Sequence, residues 1–156
     1  MKVKIKKFHQ NATTPKQATD LAGGWDVTVT EIIEESNDFV ICKLGFALQP
    51  PPNYKITLVP RSSLTKTKWI LQNSPGLGDA DYLQEYQYRF RCLPNNIEEK
   101  ESGFIFPTLT YTKFPYKIGE RIGQIYLEEV IPIEFEEVEE LLPIGNRIGG
   151  FGSTNN

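Results

Sequence analysis

Histidine and cysteine, the residues of most zinc sites and nucleophile–base pairs, are scarce in this chain. Its 156 residues include one histidine, His9, and two cysteines, Cys42 and Cys92. A single histidine argues against a zinc site built from several histidines. The cysteines stand far apart and form no CxxC motif. We therefore expect them to be reduced core thiols of a cytoplasmic protein, with a disulfide as the alternative.

Long apolar runs and an excess of charge of one sign are also absent. No apolar stretch approaches the roughly 20 residues that cross a membrane, and the lysine-rich start lacks the apolar core of a signal peptide. The 17 basic and 20 acidic residues are mixed and leave a net charge of −3. These absences predict a cytoplasmic domain that binds neither nucleic acid nor a membrane.

Short runs with the two-residue period of half-buried strands make up most of the chain. Proline and glycine clusters separate them, and a sustained helical period is almost lacking. Only residues 62–70 are expected to form a short helical turn. The pattern predicts one all-β domain, a sandwich or jelly roll. The predicted strands are residues 2–6, 25–33, 39–44, 54–59, 86–92, 103–111, 122–130 and 131–135.

The C-terminal segment 145–156 is rich in glycine, with four glycines in its first ten residues. Because glycine loses the most entropy on ordering, this flexible arm is not expected to hold a strand or helix by itself. It also carries a guanidinium, a ring and two hydroxyls, in Arg147, Phe151, Ser153 and Thr154. Together these groups suit a nucleoside triphosphate. A disordered tail is the alternative.

The segment Pro60-Arg61-Ser62-Ser63 follows a predicted strand. An arginine presents a planar fork to phosphate oxygens, and adjacent hydroxyls and backbone N–H groups can complete an anion site. The segment is therefore a candidate for phosphate binding, with an ordinary turn as the alternative.

Residues 73–82, Asn-Ser-Pro-Gly-Leu-Gly-Asp-Ala-Asp-Tyr, carry the turn residues of a hairpin. The exposed backbone of such a hairpin can read the edge of a base, and the Asn73 amide can add to it. Asp79 and Asp81 would point to the same face of a strand, where one could activate a water as general base. An acidic loop is the alternative.

Two further segments, taken separately, give only weak evidence of a function. Asp26 follows Gly23-Gly24-Trp25, and Gln124 ends the run Gly119-Glu-Arg-Ile-Gly. The order of all five segments, however, resembles the trimeric dUTPase family, in its phage or bacterial type. The motifs are Gly-Gly-Trp-Asp, Pro-Arg-Ser-Ser, Asn-x-x-Gly-x-x-Asp-x-Asp-Tyr, Gly-Glu-Arg-Ile-x-Gln and Gly-Gly-Phe-Gly-Ser-Thr, and they span residue 20 to the end.

This resemblance implies a β jelly-roll barrel or sandwich over residues 1–144, assembled as a homotrimer, with residues 145–156 as an arm that closes over substrate. It implies hydrolysis of dUTP to dUMP and pyrophosphate with Mg²⁺, in the cytoplasm, or the host cytoplasm if a phage encodes the protein. That reaction would limit uracil in DNA and supply dUMP for dTMP synthesis.

The resemblance also implies a role for each matching residue. Asp79 would activate the attacking water, and Asp26 would contact Mg²⁺ through water. The nucleoside would be bound by Asn73, Gly76, Gly78, Tyr82 and Phe151, and the phosphates by Arg61, Ser62, Ser63, Gln124, Arg147, Ser153 and Thr154.

The sequence departs from the family pattern in some places. Gly78 replaces the usual Ile or Val before the aspartate, Gln84 replaces a glycine, and Arg147 lies one position nearer to Phe151 than usual. Residues 91–117 are longer than the usual hairpin, which predicts an enlarged loop or a site for a protein partner. The alternatives to a dUTPase are a dCTP deaminase-like enzyme and a regulatory nucleotide-binding homologue that binds a protein.

Overall fold

The computed structural model describes residues 1–95 and 109–145, which form eleven β-strands and one 3₁₀ helix. No helix in these residues is long and apolar enough to cross a membrane. The strands are β1 (Lys4–Lys7), β2 (Lys16–Gln17), β3 (Trp25–Thr28), β4 (Glu31–Ser36), β5 (Phe39–Lys43), β6 (Phe46–Gln49), β7 (Tyr54–Pro60), β8 (Trp69–Leu71), β9 (Gly76–Gly78), β10 (Gln87–Cys92) and β11 (Arg121–Glu129), and the 3₁₀ helix is Ser62–Lys66.

The strands form three antiparallel sheets. Their strand orders are β1-β6, β4-β5-β10-β8 and β2-β3-β11-β7-β9. The buried faces of the four- and five-stranded sheets share one hydrophobic core, to which β6 also contributes. The predicted all-β, jelly-roll-like class is confirmed as a sandwich, and no closed barrel forms within the described ranges.

Alternating side chains explain why the central strands were predictable. In β5, Val40 and Cys42 are buried between half-exposed neighbours, and in β10 the buried residues are Tyr88, Phe90 and Cys92. Alternation of this kind places every second side chain in the core. The cysteines are free and buried, as expected, and burial raises the pKa of the Cys42 thiol to about 12.

The predicted strand 25–33 is instead divided between two sheets. β3 belongs to the five-stranded sheet and β4 to the four-stranded sheet. Between them, the N–H of Val29 bonds to Glu120 O and the N–H of Thr30 bonds to Lys43 O, so the chain changes partners within two residues. Continuous β-like composition therefore does not show where a chain crosses from one sheet to the other.

The predicted strand 131–135 is wrong. Ile131, Ile133 and Phe135 alternate with Pro132 and Glu134, but each of the three is at least 71% exposed and the segment pairs with no described strand. A strand needs a neighbour for its backbone groups. Of the predicted strand 103–111, residues 109–111 do not belong to a β-strand, and residues 103–108 lie outside the described ranges.

Short strands were missed. β2, β6, β8 and β9 have two to four residues each, too few for a periodic pattern. The predicted helical turn 62–70 is a 3₁₀ helix that ends at Lys66, before β8 begins.

The described end of the 91–117 segment is more than a surface loop. The Trp69 indole donates to the carbonyl oxygens of Thr112 (3.0 Å) and Lys113 (3.2 Å), and its ring meets Phe114 edge-on at 5.0 Å. The N–H of Asn95 bonds to Thr110 O at 2.8 Å and joins the outgoing and returning chain. Residues 109–116 therefore cover one edge of the core.

Gly45 and Gly119 both have positive φ, at 72° and 89°, and provide a matched pair for measuring packing. A Cβ on Gly45 would lie 2.9 Å from Thr30 Cγ2, whereas a Cβ on Gly119 would meet nothing within 4 Å. Backbone strain is common to both positions. Gly45→Ala should therefore lower the free energy of unfolding by about 1–3 kcal/mol more than Gly119→Ala, from overpacking alone. Urea unfolding at equal protein concentration measures the difference, and equal losses would contradict it.

Candidate active site

The predicted site residues fall into two groups on the five-stranded sheet. Asp26 lies on β3, Gln124 on β11 and Arg61 just after β7, at one end of the sheet. Asn73, Gly76 and Gly78 lie before or in β9, which pairs with β7 toward its other end.

Asp26, Arg61, Arg121 and Gln124 form the arginine cluster. Arg121 Nη1 donates to Asp26 Oδ2 at 2.7 Å, and Gln124 Nε2 donates to Asp26 Oδ1 at 3.0 Å. Arg61 Nη1 donates to the carbonyl oxygen of Arg121 at 3.1 Å. Asp26 is only 8% exposed, while Arg121 is exposed. The cluster thus presents two guanidinium groups and holds one buried carboxylate, a combination suited to anionic phosphates.

Arg121 was not predicted as a site residue. It lies three positions before Gln124, and strict strand alternation would place the two side chains on opposite faces. A register shift between Arg121 and Gly123 breaks this alternation, so both side chains reach Asp26. The motif Gly-Glu-Arg-Ile-x-Gln contains Arg121, but the sequence does not reveal the bulge that brings Arg121 to Asp26.

A metal ion could be held at this cluster only in part by protein groups. No three His, Cys, Asp or Glu residues in the described ranges come together as metal ligands. Asp26 alone supplies a carboxylate, and both its oxygens already accept a hydrogen bond. Mg²⁺ commonly keeps its waters and binds substrate phosphates with one or two carboxylates. The residues therefore suit a Mg²⁺ that arrives on phosphates and contacts Asp26 through water.

The two predicted serines differ in their surroundings. Ser62 is exposed at the start of the 3₁₀ helix. The Ser63 hydroxyl lies 3.3 Å from the Tyr116 hydroxyl, in the segment that returns from 91–117. Ser63 therefore links the candidate phosphate motif to that segment, a contact that the sequence did not indicate.

A cavity of about 420 Å³ lies between β9 and the start of β10. Its lining includes Asn73, Gly76, Tyr82, Tyr86 and Arg89. The size and the mixture of aromatic and polar groups suit a nucleoside. We call this space the nucleoside cavity.

Asn73 is held by the backbone of β10. Its Oδ1 accepts from Arg89 N at 3.0 Å, and its Nδ2 donates to Gln87 O at 3.4 Å. The amide therefore fixes the wall of the nucleoside cavity as well as lining it. The predicted hairpin is absent here, since β8 pairs with β10 whereas β9 pairs with β7 in the other sheet.

Asp79 directly follows β9 in an exposed turn with Asp81. The N–H of Tyr82 bonds to Asp79 O at 3.1 Å and closes this turn. The expectation that both carboxylates share one face of a strand is therefore wrong, because neither residue belongs to a strand. Asp79 borders a second cavity of about 810 Å³ that Lys2, Lys4 and Lys55 also line.

The two groups are far apart within one chain. Gly78 pairs with Ile56, which places Asp79 beside Lys55. Arg61 lies six residues further along the chain, a span of about 20 Å for an extended strand. One chain thus separates its exposed carboxylate from its arginine cluster. The predicted residues Arg147, Phe151, Ser153 and Thr154 lie outside the described ranges.

Relatives of the chain share its full length. It is 31% identical to the deoxyuridine 5′-triphosphate nucleotidohydrolase of Helicobacter pylori over 99% of this chain and 97% of that protein. It is 33% identical to the protein of the same name from Nautilia profundicola, over 99% of each. No family model matches the chain.

Solved structures of phage dUTPases share the fold. The Staphylococcus bacteriophage 80alpha dUTPase with dUPNHPP is 23% identical, with a TM-score of 0.74 over 98% of both chains. The dUTPase from phage phi11 of S. aureus, described with a species-specific insert, is 18% identical, with a TM-score of 0.68 over 90% of this chain and 98% of that one.

The buried carboxylate of Asp26 should stabilise the fold more than an exposed one with a comparable ion pair. Asp26→Ala removes the acceptor of both Arg121 and Gln124 and should lower the free energy of unfolding by about 1–3 kcal/mol. Glu31, 2.9 Å from Lys43 Nζ and 52% exposed, is the control. Glu31→Ala should cost less than about 1 kcal/mol. Chemical denaturation measures both, and equal losses would show that the buried network contributes nothing beyond a surface pair.

Proposed function

This chain belongs to the family of deoxyuridine 5′-triphosphate nucleotidohydrolases (dUTPases) and is an enzyme that hydrolyses dUTP. We propose that the reaction occurs where the Asp79 turn of one chain meets the arginine cluster of another. The observation that carries this proposal is the separation of the two groups along β7. Neither group alone can both activate a water and hold a triphosphate.

Asp79 is proposed as the general base. Its carboxylate is exposed just after β9, between Leu77 and Tyr82, which both line the nucleoside cavity. It takes a proton from a water, whose oxygen forms a bond to the α-phosphorus. The bond from that phosphorus to the bridging oxygen of the β-phosphate breaks, and the leaving group is pyrophosphate. The other product is dUMP. Positioning and charge neutralisation dominate catalysis of this kind.

The nucleoside cavity is proposed to bind deoxyuridine. Asn73, Gly76 and Gly78 would face the base, and Tyr82 would pack on the deoxyribose. Gly76 is closely packed, because a Cβ there would lie 3.2 Å from Leu58 Cβ. Such close packing of the backbone supports selection by shape. Phe151 of the arm is proposed to stack on the base.

The arginine cluster is proposed to bind the phosphates. Arg61 and Gln124 would donate to phosphate oxygens with Ser62, Ser63 and the unpredicted Arg121. Arg147, Ser153 and Thr154 of the arm are proposed to add to them. Mg²⁺, held through water by Asp26, would neutralise phosphate charge when it is bound.

A homotrimer would bring the two groups together, since three-fold heterologous contacts close into a ring. The segment after β11 supports an assembly of this kind. Its apolar side chains are largely exposed in one chain and would be covered by a neighbour. These side chains are Ile131, Ile133, Phe135, Leu141 and Leu142.

The proposed setting is the cytoplasm, where the free thiols of Cys42 and Cys92 would stay reduced. There the enzyme would limit uracil in DNA and supply dUMP for dTMP synthesis. A protein partner at residues 91–117 is a second proposal. A cavity of about 490 Å³ between this segment and the β4–β5 turn supports it, with Trp69, Tyr111 and Phe114 in its lining.

Asp79→Asn tests the general base. It should keep nucleotide affinity and lower kcat by about 10²–10⁴-fold, since the amide cannot accept the proton of the water. Asp81→Asn is the control, because Asp81 is exposed in the same turn. Its kcat should stay near that of the wild type. Product analysis with dUTP and Mg²⁺ measures both, and a fully active Asp79→Asn protein would exclude the assignment.

Mixing two inactive variants tests whether the site is shared. Asp79→Asn and Arg61→Ala chains should each be poorly active. After denaturation and refolding together they should recover activity, in about a quarter of the sites of a random one-to-one mixture. The reason is that a wild-type Asp79 then meets a wild-type Arg61 from another chain. The double variant mixed with itself is the control. No recovery, in oligomers that native mass spectrometry shows to contain both variants, would place both residues in one chain's site.

A further inference from the structure

Two neighbouring tyrosines cross the core to glycines of the opposite sheet. Tyr86 precedes β10 and Tyr88 lies in it, and both are buried. A Cβ on Gly78 would collide with the Tyr86 hydroxyl and lie 2.6 Å from its Cε1 and Cζ atoms. A Cβ on Gly123 would collide in the same way with Tyr88. Each tyrosine thus occupies the side-chain space of a glycine on β9 or β11.

The two hydroxyls differ in their hydrogen bonds. The Tyr88 hydroxyl donates to Gln124 O at 2.8 Å and lies 3.3 Å from Val59 O. The Tyr86 hydroxyl has no partner within residues 1–95 and 109–145, although the residue is only 2% exposed. A buried hydroxyl without a partner disfavours the folded state, so the Tyr86 hydroxyl does not stabilise the fold through a hydrogen bond.

Tyr86 adjoins the groups proposed to act on the nucleotide. Its ring meets Tyr82 edge-on at 5.4 Å and packs against Phe46 on another side. It lines the nucleoside cavity, and Gly78, above its hydroxyl, directly precedes Asp79. Burial, with Tyr82 and Asp79 nearby, raises the pKa of Tyr86 to about 12, so the hydroxyl stays neutral at physiological pH.

We propose that Tyr86 is a positioning residue of the reaction. Its hydroxyl fills the side-chain space of position 78 and thereby sets the backbone from which Asp79 and Tyr82 project. This inference rests on the proposed role of Asp79. If Tyr86 has this role, position 78 must be a glycine. A change at Tyr86 should then lower kcat more than it lowers the stability of the fold.

Removing the hydroxyl alone tests the proposal. Tyr86→Phe leaves an atom-sized gap under Gly78 and breaks no hydrogen bond of the described residues. It should lower kcat by about tenfold, because small displacements of reacting groups have large effects on rate. The Kd for a non-hydrolysable dUTP analogue should change by less than about threefold, and the melting temperature should not fall.

Tyr88→Phe is the matched control on the same strand. It loses the hydrogen bond to Gln124 O and should therefore lower the melting temperature. Because Gln124 is a proposed phosphate ligand, Tyr88→Phe should weaken binding of the dUTP analogue, while its kcat per folded site falls less than that of Tyr86→Phe. Wild-type kcat in Tyr86→Phe would overturn the proposal. So would a loss of activity that only parallels a loss of stability, since that would make Tyr86 a packing residue.

A larger side chain at position 78, combined with a smaller one at position 86, gives a second test. Gly78→Ala should lower kcat by about 10²-fold, since the added methyl must displace the ring or the Asp79 backbone. The double variant Gly78→Ala/Tyr86→Leu should have a kcat at least about tenfold higher than that of Gly78→Ala alone. The reason is that the added methyl group then occupies the space that the tyrosine ring leaves. Full activity of Gly78→Ala, or no restoration in the folded double variant, would overturn the proposal.

The Asp79→Asn variant separates failure of this inference from failure of the proposed site. If Asp79→Asn is inactive while Tyr86→Phe and Gly78→Ala are fully active, Asp79 keeps its role and Tyr86 loses it. If Asp79→Asn is fully active, the proposed site and the inference that rests on it both fall. If the Gly78→Ala protein does not fold, the kcat of Tyr86→Phe alone tests the proposal, because that substitution removes only one oxygen atom.

Discussion

The ladder of β7 is the constraint on which the candidate site depends. This seven-residue strand pairs with β11 along one edge and with β9 along the other. An extended strand cannot shorten without breaking its hydrogen bonds, so the Asp79 turn and the arginine cluster stay a fixed distance apart. In the proposed dUTPase mechanism this rigidity makes a second chain part of every site. It also keeps each half of the site preorganised on a sheet rather than on a loop.

The core supports that sheet through the face of β10. Tyr86 and Tyr88 reach Gly78 and Gly123, which directly precede Asp79 and Gln124 in the chain. The packing of the two sheets therefore also fixes the backbone next to Asp79 and next to Gln124. The arginine cluster is braced from its other side, because Asp26 accepts hydrogen bonds from both Arg121 and Gln124. The return of the chain at Tyr116, beside Ser63, adds a link to the 91–117 segment.

Much of the fold could be predicted, since alternation in β5 and β10 records which side chains are buried. The errors have physical causes. Residues 25–33 look like one strand, but the chain changes sheets at Val29, where long-range hydrogen bonds decide the partner. Residues 131–135 alternate without a neighbouring strand in the described part of the chain. Arg121 was overlooked as a site residue because only a bulge turns it toward Asp26.

The sequence by itself determined the all-β class and the family, because alternation and the order of five motifs are properties of the linear chain. It left a disulfide open, and the structure shows that Cys42 and Cys92 are free. The sequence also supplied the side chains of the proposed site, with Asp79 and Arg61 as the central pair of the proposal. Only the tertiary structure decided that Asp79 leaves β9 in a turn, that Asn73 is held by β10, and that Tyr86 stands under Gly78. These are contacts between residues brought together by sheet packing, which local periodicity does not encode.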